Sequence, residues 1–205
     1  MTSQKFISFI RRAILPSVTL LLALSSVPDN SRLTAQAGQT GSPKLGSIIA
    51  EDYDVQTTDG KRVKLATLLG RNQPVLIDFW ATWCGPCRLE IPHLIELANK
   101  YRERKLVVIG LTIEDPADDA EKVREFAKKL GINYQIAFAP RELYYGLTGG
   151  TRTALPQTLI YGGDGTLVRR IVGYNAKLIP YVLTEAVEAA LKRNSAEGKQ
   201  SLLLK

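Results

Sequence analysis

The chain has 205 residues, of which 45% are hydrophobic and 23% are charged, proportions typical of a soluble globular protein. Once a targeting segment is set aside, this length is enough for one domain with its own hydrophobic core. The formal net charge is +7, but the basic residues form no clustered stripe, and we therefore expect no nucleic-acid partner.

Residues 1–37 have the pattern of a secretory targeting segment. Three basic side chains within residues 1–12 precede an apolar run over residues 13–24, which is short for a membrane-spanning helix. An Ala-Gln-Ala sequence at residues 35–37 predicts cleavage, although its distance from the apolar run leaves open an uncleaved anchor. The segment is therefore predicted to be a signal peptide or a signal anchor, and residues 13–24 are a candidate membrane tether.

The rest of the chain divides into three parts. We predict a linker over residues 38–45, one folded domain over 46–193 and a flexible tail over 194–205. Because the chain opens with a secretory pattern, we expect the domain to act outside the cytoplasm, in the bacterial periplasm or a similar compartment.

Hydrophobic patterning predicts alternating strands and helices in the folded domain. In chain order these are a β-hairpin over residues 53–65, a helical turn over 66–70, a strand over 75–80, a helix over 85–102, a strand over 106–111, a helix over 118–130, a strand over 134–139, a short helix over 141–147, a second hairpin over 157–172 and a closing helix over 179–191. This order predicts the α/β class, with a mixed central sheet, helices on both faces and an added N-terminal β-hairpin.

The only two cysteines, Cys84 and Cys87, lie between the predicted strand over 75–80 and the helix that follows it. Their spacing allows a small-ring disulfide, and the free N–H groups of the helix N-terminus favour a thiolate at Cys84. Cys87, one turn into the helix, is expected to be shielded. Pro86 lies in the first helical turn, where its missing N–H costs nothing. We therefore predict a redox-active dithiol.

Two other interpretations of the cysteine pair are less favoured. A structural disulfide across two residues closes almost no loop and would stabilise the fold little. A zinc site needs further ligands, and the chain offers no other cysteine and only one histidine, His93. We therefore predict no metal site, and no cofactor beyond the Cys84–Cys87 disulfide itself.

The sequence Asp-Phe-Trp-Ala-Thr-Trp-Cys-Gly-Pro-Cys, residues 78–87, resembles the thioredoxin superfamily. The leading hairpin, the secretory segment and Glu90, three residues after Cys87, are similar to its extracytoplasmic TlpA/ResA-like branch. The resemblance covers roughly residues 45–191 and implies a thioredoxin-like fold.

The same resemblance implies a cis-proline facing the disulfide, and Pro156 is the matching residue. A proline there has no N–H, so the backbone of Leu155 is free to meet an extended peptide. An ordinary trans proline opening an edge strand is the alternative. With Trp83, Gly85 and Pro86 beside the cysteines, these two residues are the predicted substrate-binding set.

Two acidic residues are candidate proton partners of the cysteines. Asp78 lies within an apolar run and matches the buried aspartate of thioredoxins; burial raises the pKa of such a carboxyl and suits it to proton exchange with Cys87. Many thioredoxins pair this aspartate with a lysine that would align near Gly110, where this chain has none. Glu90 resembles a glutamate near the cysteines of the TlpA/ResA-like branch. The alternatives are a structural role for Asp78 and a solvated surface position for Glu90.

Other conspicuous residues are given structural roles. His93 is interpreted as a surface or hydrogen-bonded helix residue, and Trp80 as a core residue. The basic side chains of the helix over 118–130 are interpreted as a solvated face; they are Lys122, Arg124, Lys128 and Lys129.

These features predict a thiol-disulfide oxidoreductase that reduces oxidised protein substrates. By resemblance, the substrates would be extracytoplasmic proteins such as apocytochrome c during cytochrome c maturation, and a membrane thiol-disulfide electron donor would recharge the dithiol. A disulfide oxidase or isomerase and a non-catalytic binding module are the alternatives. Peroxide reduction is disfavoured, because peroxiredoxins need a threonine and a proline where this chain has Ala81 and Ile77.

Overall fold

The computed structural model describes residues 53–150 and 154–203, with side chains described as far as residue 193. The predicted signal segment and linker, residues 1–45, lie outside the described residues. Within the described ranges, no helix combines the length and apolar character needed to span a bilayer. The tether at residues 13–24 therefore stays a prediction.

The described residues contain one seven-stranded mixed sheet, with strands in the order β2-β1-β5-β4-β3-β6-β7. The strands are β1 (Asp54–Thr57), β2 (Arg62–Lys64), β3 (Val75–Trp80), β4 (Val107–Thr112), β5 (Gln135–Phe138), β6 (Gln157–Tyr161) and β7 (Leu167–Val172). Strands β3, β4 and β5 are parallel, and the remaining neighbours pair antiparallel. The predicted mixed sheet and its added N-terminal hairpin are confirmed.

Five α-helices are described around this sheet, together with a 3-10 turn at Arg102–Arg104. The helices are α1 (Leu65–Leu69), α2 (Gly85–Lys100), α3 (Pro116–Leu130), α4 (Arg141–Thr148) and α5 (Ile179–Leu203). Helix α5 continues well beyond the predicted end at Leu191, so residues 194–203, predicted as part of a flexible tail, are helical. The sequence from 192 to 203 has few apolar residues, and this obscured the continuation.

Strand β3 organises the core because both of its faces are buried. Side chains alternate along a strand, so its odd-numbered residues join an apolar cluster with α1 and α4 on one face. On the other face, Leu76 packs with α2 and α5, and Trp80 packs with α2 and α3. Asp78 lies between Leu76 and Trp80 in this alternation. The alternation therefore directs Asp78 towards the face on which α2 packs.

The carboxyl end of β3 leads directly into α2. Residues 81–84 bridge the two elements, and Cys84 is the N-cap residue of the helix. In an α/β sheet this edge, where the central parallel strands end, is the usual place for a site. The fold therefore carries both cysteines to the end of its most buried strand.

Candidate active site

Cys84 and Cys87 form a disulfide at the first turn of α2, with an S–S distance of 1.98 Å. The backbone N–H of Cys87 donates to Sγ of Cys84 at 3.2 Å. Cys87 is completely buried, whereas Cys84 retains 4% of its surface. When the bond is reduced, this N–H and the positive end of the helix favour negative charge on Cys84. Of the two cysteines, only Cys84 retains solvent-accessible surface.

Three of the predicted substrate-binding residues, Trp83, Gly85 and Pro86, adjoin the two cysteines in the chain. Trp83 is 62% exposed, and Gly85 and Pro86 are exposed beside it. The Leu155–Pro156 peptide bond is cis, as the resemblance implied, so the trans alternative is wrong. Leu155 packs against the apolar cluster that contains both cysteines. The structure thus brings Leu155 and the cysteines together, although they are far apart in sequence.

The two predicted proton partners, Asp78 and Glu90, are both fully buried. Oγ1 of Thr158 donates to Oε1 of Glu90 at 2.8 Å, and Thr158 lies opposite Asp78 in the pairing of β3 with β6. Glu90 also follows Cys87 by three residues, which places both on one face of α2. The solvated alternative for Glu90 is therefore wrong.

Burial keeps both carboxyl groups protonated at pH values where exposed carboxyls are ionised. Desolvation, reinforced by the neighbouring charge of Glu90, raises the pKa of Asp78 well above its usual value. Desolvation raises the pKa of Glu90 to about 7, although the hydrogen bond from Thr158 opposes the change. Neither Asp78 oxygen, nor Oε2 of Glu90, has a hydrogen-bond partner among the described residues.

The place where many thioredoxins carry a lysine is filled by aromatic rings in this chain. Gly110 pairs with Asp78 across β3 and β4. A Cβ atom at Gly110 would lie 2.8 Å from Nε1 of Trp80 and 3.2 Å from Cε2 of Tyr134. No longer side chain fits there without moving a buried ring. The absence of the lysine is therefore built into the packing around the acidic pair.

Comparison with known proteins agrees with this geometry. The AhpC/TSA family model matches residues 48–170, more than half of the chain. The chain belongs to the AhpC/TSA family. Among its relatives, the thiol-disulfide oxidoreductase ResA of Bacillus thuringiensis (strain Al Hakam) is 31% identical over 144 residues, which cover 70% of this chain and 75% of that protein. ResA of Bacillus subtilis (strain 168) is 27% identical over 166 residues, covering 80% and 84%.

A solved structure extends the comparison. The thiol:disulfide interchange protein of the thioredoxin family from Chlorobium tepidum TLS aligns with a TM-score of 0.58 and 26% identity, over 74% of this chain and 96% of that one. The fold is thus thioredoxin-like, and this AhpC/TSA family member falls in the ResA/TlpA-like group. With its Cys84–Cys87 disulfide, it is a protein thiol-disulfide oxidoreductase.

In this AhpC/TSA family member, two further residues, Glu114 and Arg88, hold the loop that leads to Cys84 through its residue Thr82. Oε2 of Glu114 accepts the backbone N–H of Thr82 at 2.9 Å, and Oε1 accepts the Thr82 hydroxyl. The Arg88 guanidinium donates to the Thr82 carbonyl oxygen at 2.6 and 3.2 Å. Burial alone would raise the pKa of Glu114, but the hydrogen bonds from Thr82 and Lys122 lower it overall. The backbone before the disulfide is therefore tied at both its N–H and its carbonyl.

Sequence reasoning did not select Thr82, Arg88, Glu114 or Thr158 as site residues. Glu114 carried a usable signal, because it is a polar residue just past the carboxyl end of an apolar strand. Thr158 had none, since its role depends on which strand pairs with β3. His93 matches its predicted role: its ring stacks on Tyr174 and lies 3.4 Å from the Tyr174 hydroxyl.

The first prediction concerns the Glu114 contacts. In Glu114→Ala, the buried N–H and hydroxyl of Thr82 lose their acceptors, and we expect the free energy of unfolding to fall by about 1–3 kcal/mol. Asp119→Ala is the matched control, because Asp119 also contacts Lys122 but is partly exposed; its cost should stay below about 1 kcal/mol. Urea unfolding of the oxidised proteins measures both. Equal losses would contradict the role given to Glu114.

The second prediction concerns the protonated state of Glu90. The pKa of Glu90 rises from its ordinary value of 4.5 to about 7 in the native protein. Between these two pH values, the native protein holds a proton on Glu90 that the unfolded chain releases. The free energy of unfolding should therefore fall as pH rises through this window, by about 3 kcal/mol. In Glu90→Gln, this pH-dependent decrease in the free energy of unfolding should be missing. The free energy of unfolding of the variant minus that of the wild type should therefore increase from pH 4.5 to pH 7.5.

The control for this measurement is Glu142→Gln, which neutralises an exposed carboxyl in the first turn of α4. Any difference from the wild type that it shows measures the effect of the Glu-to-Gln change itself, outside the acidic pair. Urea unfolding of oxidised protein at several pH values gives all three curves. A Glu90→Gln curve parallel to the wild type would show that Glu90 is ionised in the native protein.

Proposed function

We propose that the protein is a reductant of disulfides in extracytoplasmic proteins. The observation that carries the proposal is the asymmetric disulfide: Cys84 is accessible at the end of a helix, while Cys87 is buried behind it. In the reduced enzyme, the Cys84 thiolate attacks one sulfur of a substrate disulfide and displaces the other as a thiolate, which takes up a proton from solvent. Cys87 then attacks Cys84 in the mixed disulfide, releasing the second substrate thiol and restoring the Cys84–Cys87 bond. Two electrons pass to the substrate, and no cofactor is needed.

The buried acidic pair supplies what the second step needs. Cys87 must lose its proton before it attacks, although it is shielded from solvent. Glu90 lies one turn further along the same helix face, and its pKa of about 7 allows it to hold or accept a proton near neutral pH. Asp78 keeps its own proton, because desolvation and the neighbouring charge of Glu90 raise its pKa well above the usual value. We assign Glu90 the acceptor role and Asp78 the role of its partner.

Three considerations support the direction and the setting. The Gly-Pro spacer resembles that of thioredoxin, whose potential of roughly −270 mV is strongly reducing. The secretory pattern of residues 1–37 supports a location outside the cytoplasm, where a membrane thiol-disulfide electron donor would have to recharge the dithiol. Apocytochrome c is our proposed substrate, in cytochrome c maturation, because its haem-attachment cysteines must be free thiols. Ala81 and Ile77 are buried apolar residues, which disfavours peroxidase chemistry.

The third prediction tests the direction of electron flow. We expect the Cys84–Cys87 couple to have a reduction potential near that of thioredoxin, roughly −270 mV, when it is equilibrated with glutathione or dithiothreitol buffers. Tryptophan fluorescence of Trp83, which lies beside the disulfide, provides the signal. A potential near −120 mV, the value of a strong oxidant, would replace the reductase assignment with an oxidase or isomerase role.

The fourth prediction identifies the substrates. Cys87→Ser leaves Cys84 able to attack but removes the thiol that resolves the mixed disulfide, so substrates should accumulate on the variant through Cys84. Non-reducing gels followed by mass spectrometry would identify them in the native compartment. Cys84→Ser is the matched control and should trap nothing, because Cys87 is buried. Trapping of cytochrome c precursors would support the proposed substrate; trapping confined to other proteins would refute it.

A further inference from the structure

A cleft of about 330 Å³ lies between the start of α2 and one face of α3. Trp83 and Arg88 line one wall, and Lys122, Phe126 and Lys129 line the other. The α3 residues follow one another at intervals of three and four, so they share one helix face. Trp83, which lines this basic cleft, directly precedes Cys84 in the chain. The α3 side chains predicted as a solvated face are all exposed, and two of them, Lys122 and Lys129, line this cleft.

Arg88 is held rigidly at one side of the basic cleft. Two of its guanidinium nitrogens donate to the Thr82 carbonyl oxygen, and its Cζ atom lies 5.4 Å from the centroid of the Phe126 ring. Both partners are uncharged, so these contacts orient the guanidinium without neutralising it. The remaining N–H groups of Arg88 can bind a carboxylate, for which a fixed guanidinium is well suited.

The charges around the basic cleft are not balanced. Lys122 is paired with Glu114 at 3.0 Å and with Asp119 at 3.2 Å. In contrast, no ion pair involving Arg88 or Lys129 is found within the described ranges 53–150 and 154–193. Glu125 is the single acidic residue among those that line the cleft. Among the described residues, the cleft therefore presents two cations outside any ion pair, Arg88 and Lys129, next to the exposed ring of Trp83.

We propose that the basic cleft binds an acidic side chain of the substrate protein, in the segment that flanks the disulfide under attack. Arg88 and Lys129 receive the carboxylate, and Trp83 contacts the apolar part of the same segment. The cleft thereby favours substrates whose reactive cysteine lies beside aspartate or glutamate. This inference rests on the proposed disulfide reduction and adds substrate selectivity to it.

The test uses two peptides with the same intramolecular disulfide, one with two glutamates beside the cysteines and one with two glutamines. The reduced wild-type protein should reduce the acidic peptide with a kcat/KM about three- to tenfold higher at low ionic strength. The preference should fade at about 1 M salt, where charges are screened within roughly 3 Å. The ratio of the two kcat/KM values is the readout, since it cancels any loss of folded protein.

Two charge reversals on α3 form a matched pair. Lys129→Glu alters the basic cleft, whereas Lys128→Glu makes the same change on an exposed residue outside it. We expect the acidic-to-neutral ratio to fall to about one or below in Lys129→Glu and to keep its wild-type value in Lys128→Glu. Equal falls in both variants would mean that overall charge, not the cleft, sets the preference.

The outcomes separate this inference from the proposed function. A wild-type ratio near one, with both peptides reduced, would overturn the basic cleft as a binding site and leave disulfide reduction intact. Failure to reduce either peptide, with the dithiol verified as reduced, would overturn the proposed function and the selectivity that rests on it.

Discussion

The alternation of side chains along β3 is the constraint on which the active site depends. The strand is buried on both faces, and its period of two directs Asp78 to the face covered by α2. The same strand ends at the loop that starts α2 and carries the cysteines. A shift of one residue in this strand would move the carboxyl group to the opposite side of the sheet. One strand thus supplies both the buried acid and the position of the disulfide.

The acidic pair is unusual because no cation compensates for its burial among the described residues. A buried charge without a partner is costly, so the pair lowers its energy by holding protons, and the pKa of Glu90 rises to about 7 as a result. Trp80 and Tyr134 fill the space above Gly110 that a lysine side chain would need. The two aromatic rings therefore occupy the space of a compensating cation, and desolvation raises the pKa values of both carboxyl groups.

The accessible side of the disulfide is organised differently from the buried side. Glu114 and Arg88 tie the loop before Cys84 through Thr82, while Arg88 also forms part of the basic cleft. Arg88 thus both holds the loop before Cys84 and forms part of the cleft proposed to bind an acidic side chain. This arrangement links the geometry of the attacking cysteine to the surface that a substrate would contact. The buried carboxyl groups lie on one side of the disulfide, and the surface that we propose for substrate recognition lies on the other.

The chemistry and the element order could be predicted from local sequence. The spacing of Cys84 and Cys87, the largely apolar β3 and the pattern of α3 are properties of short segments, so the fold class and the redox pair followed from them. Three contacts join distant segments. They are the strand pairing that sets the neighbours of Asp78, the hydrogen bond from Thr158 to Glu90 and the hydrogen bonds from Thr82 to Glu114. Their existence depends on strand order and register, which no local pattern encodes. The sequence alone determined which cysteines form the redox pair. Tertiary packing decided which carboxyl groups are buried near them and which side chains line the cleft, because both depend on contacts between distant segments.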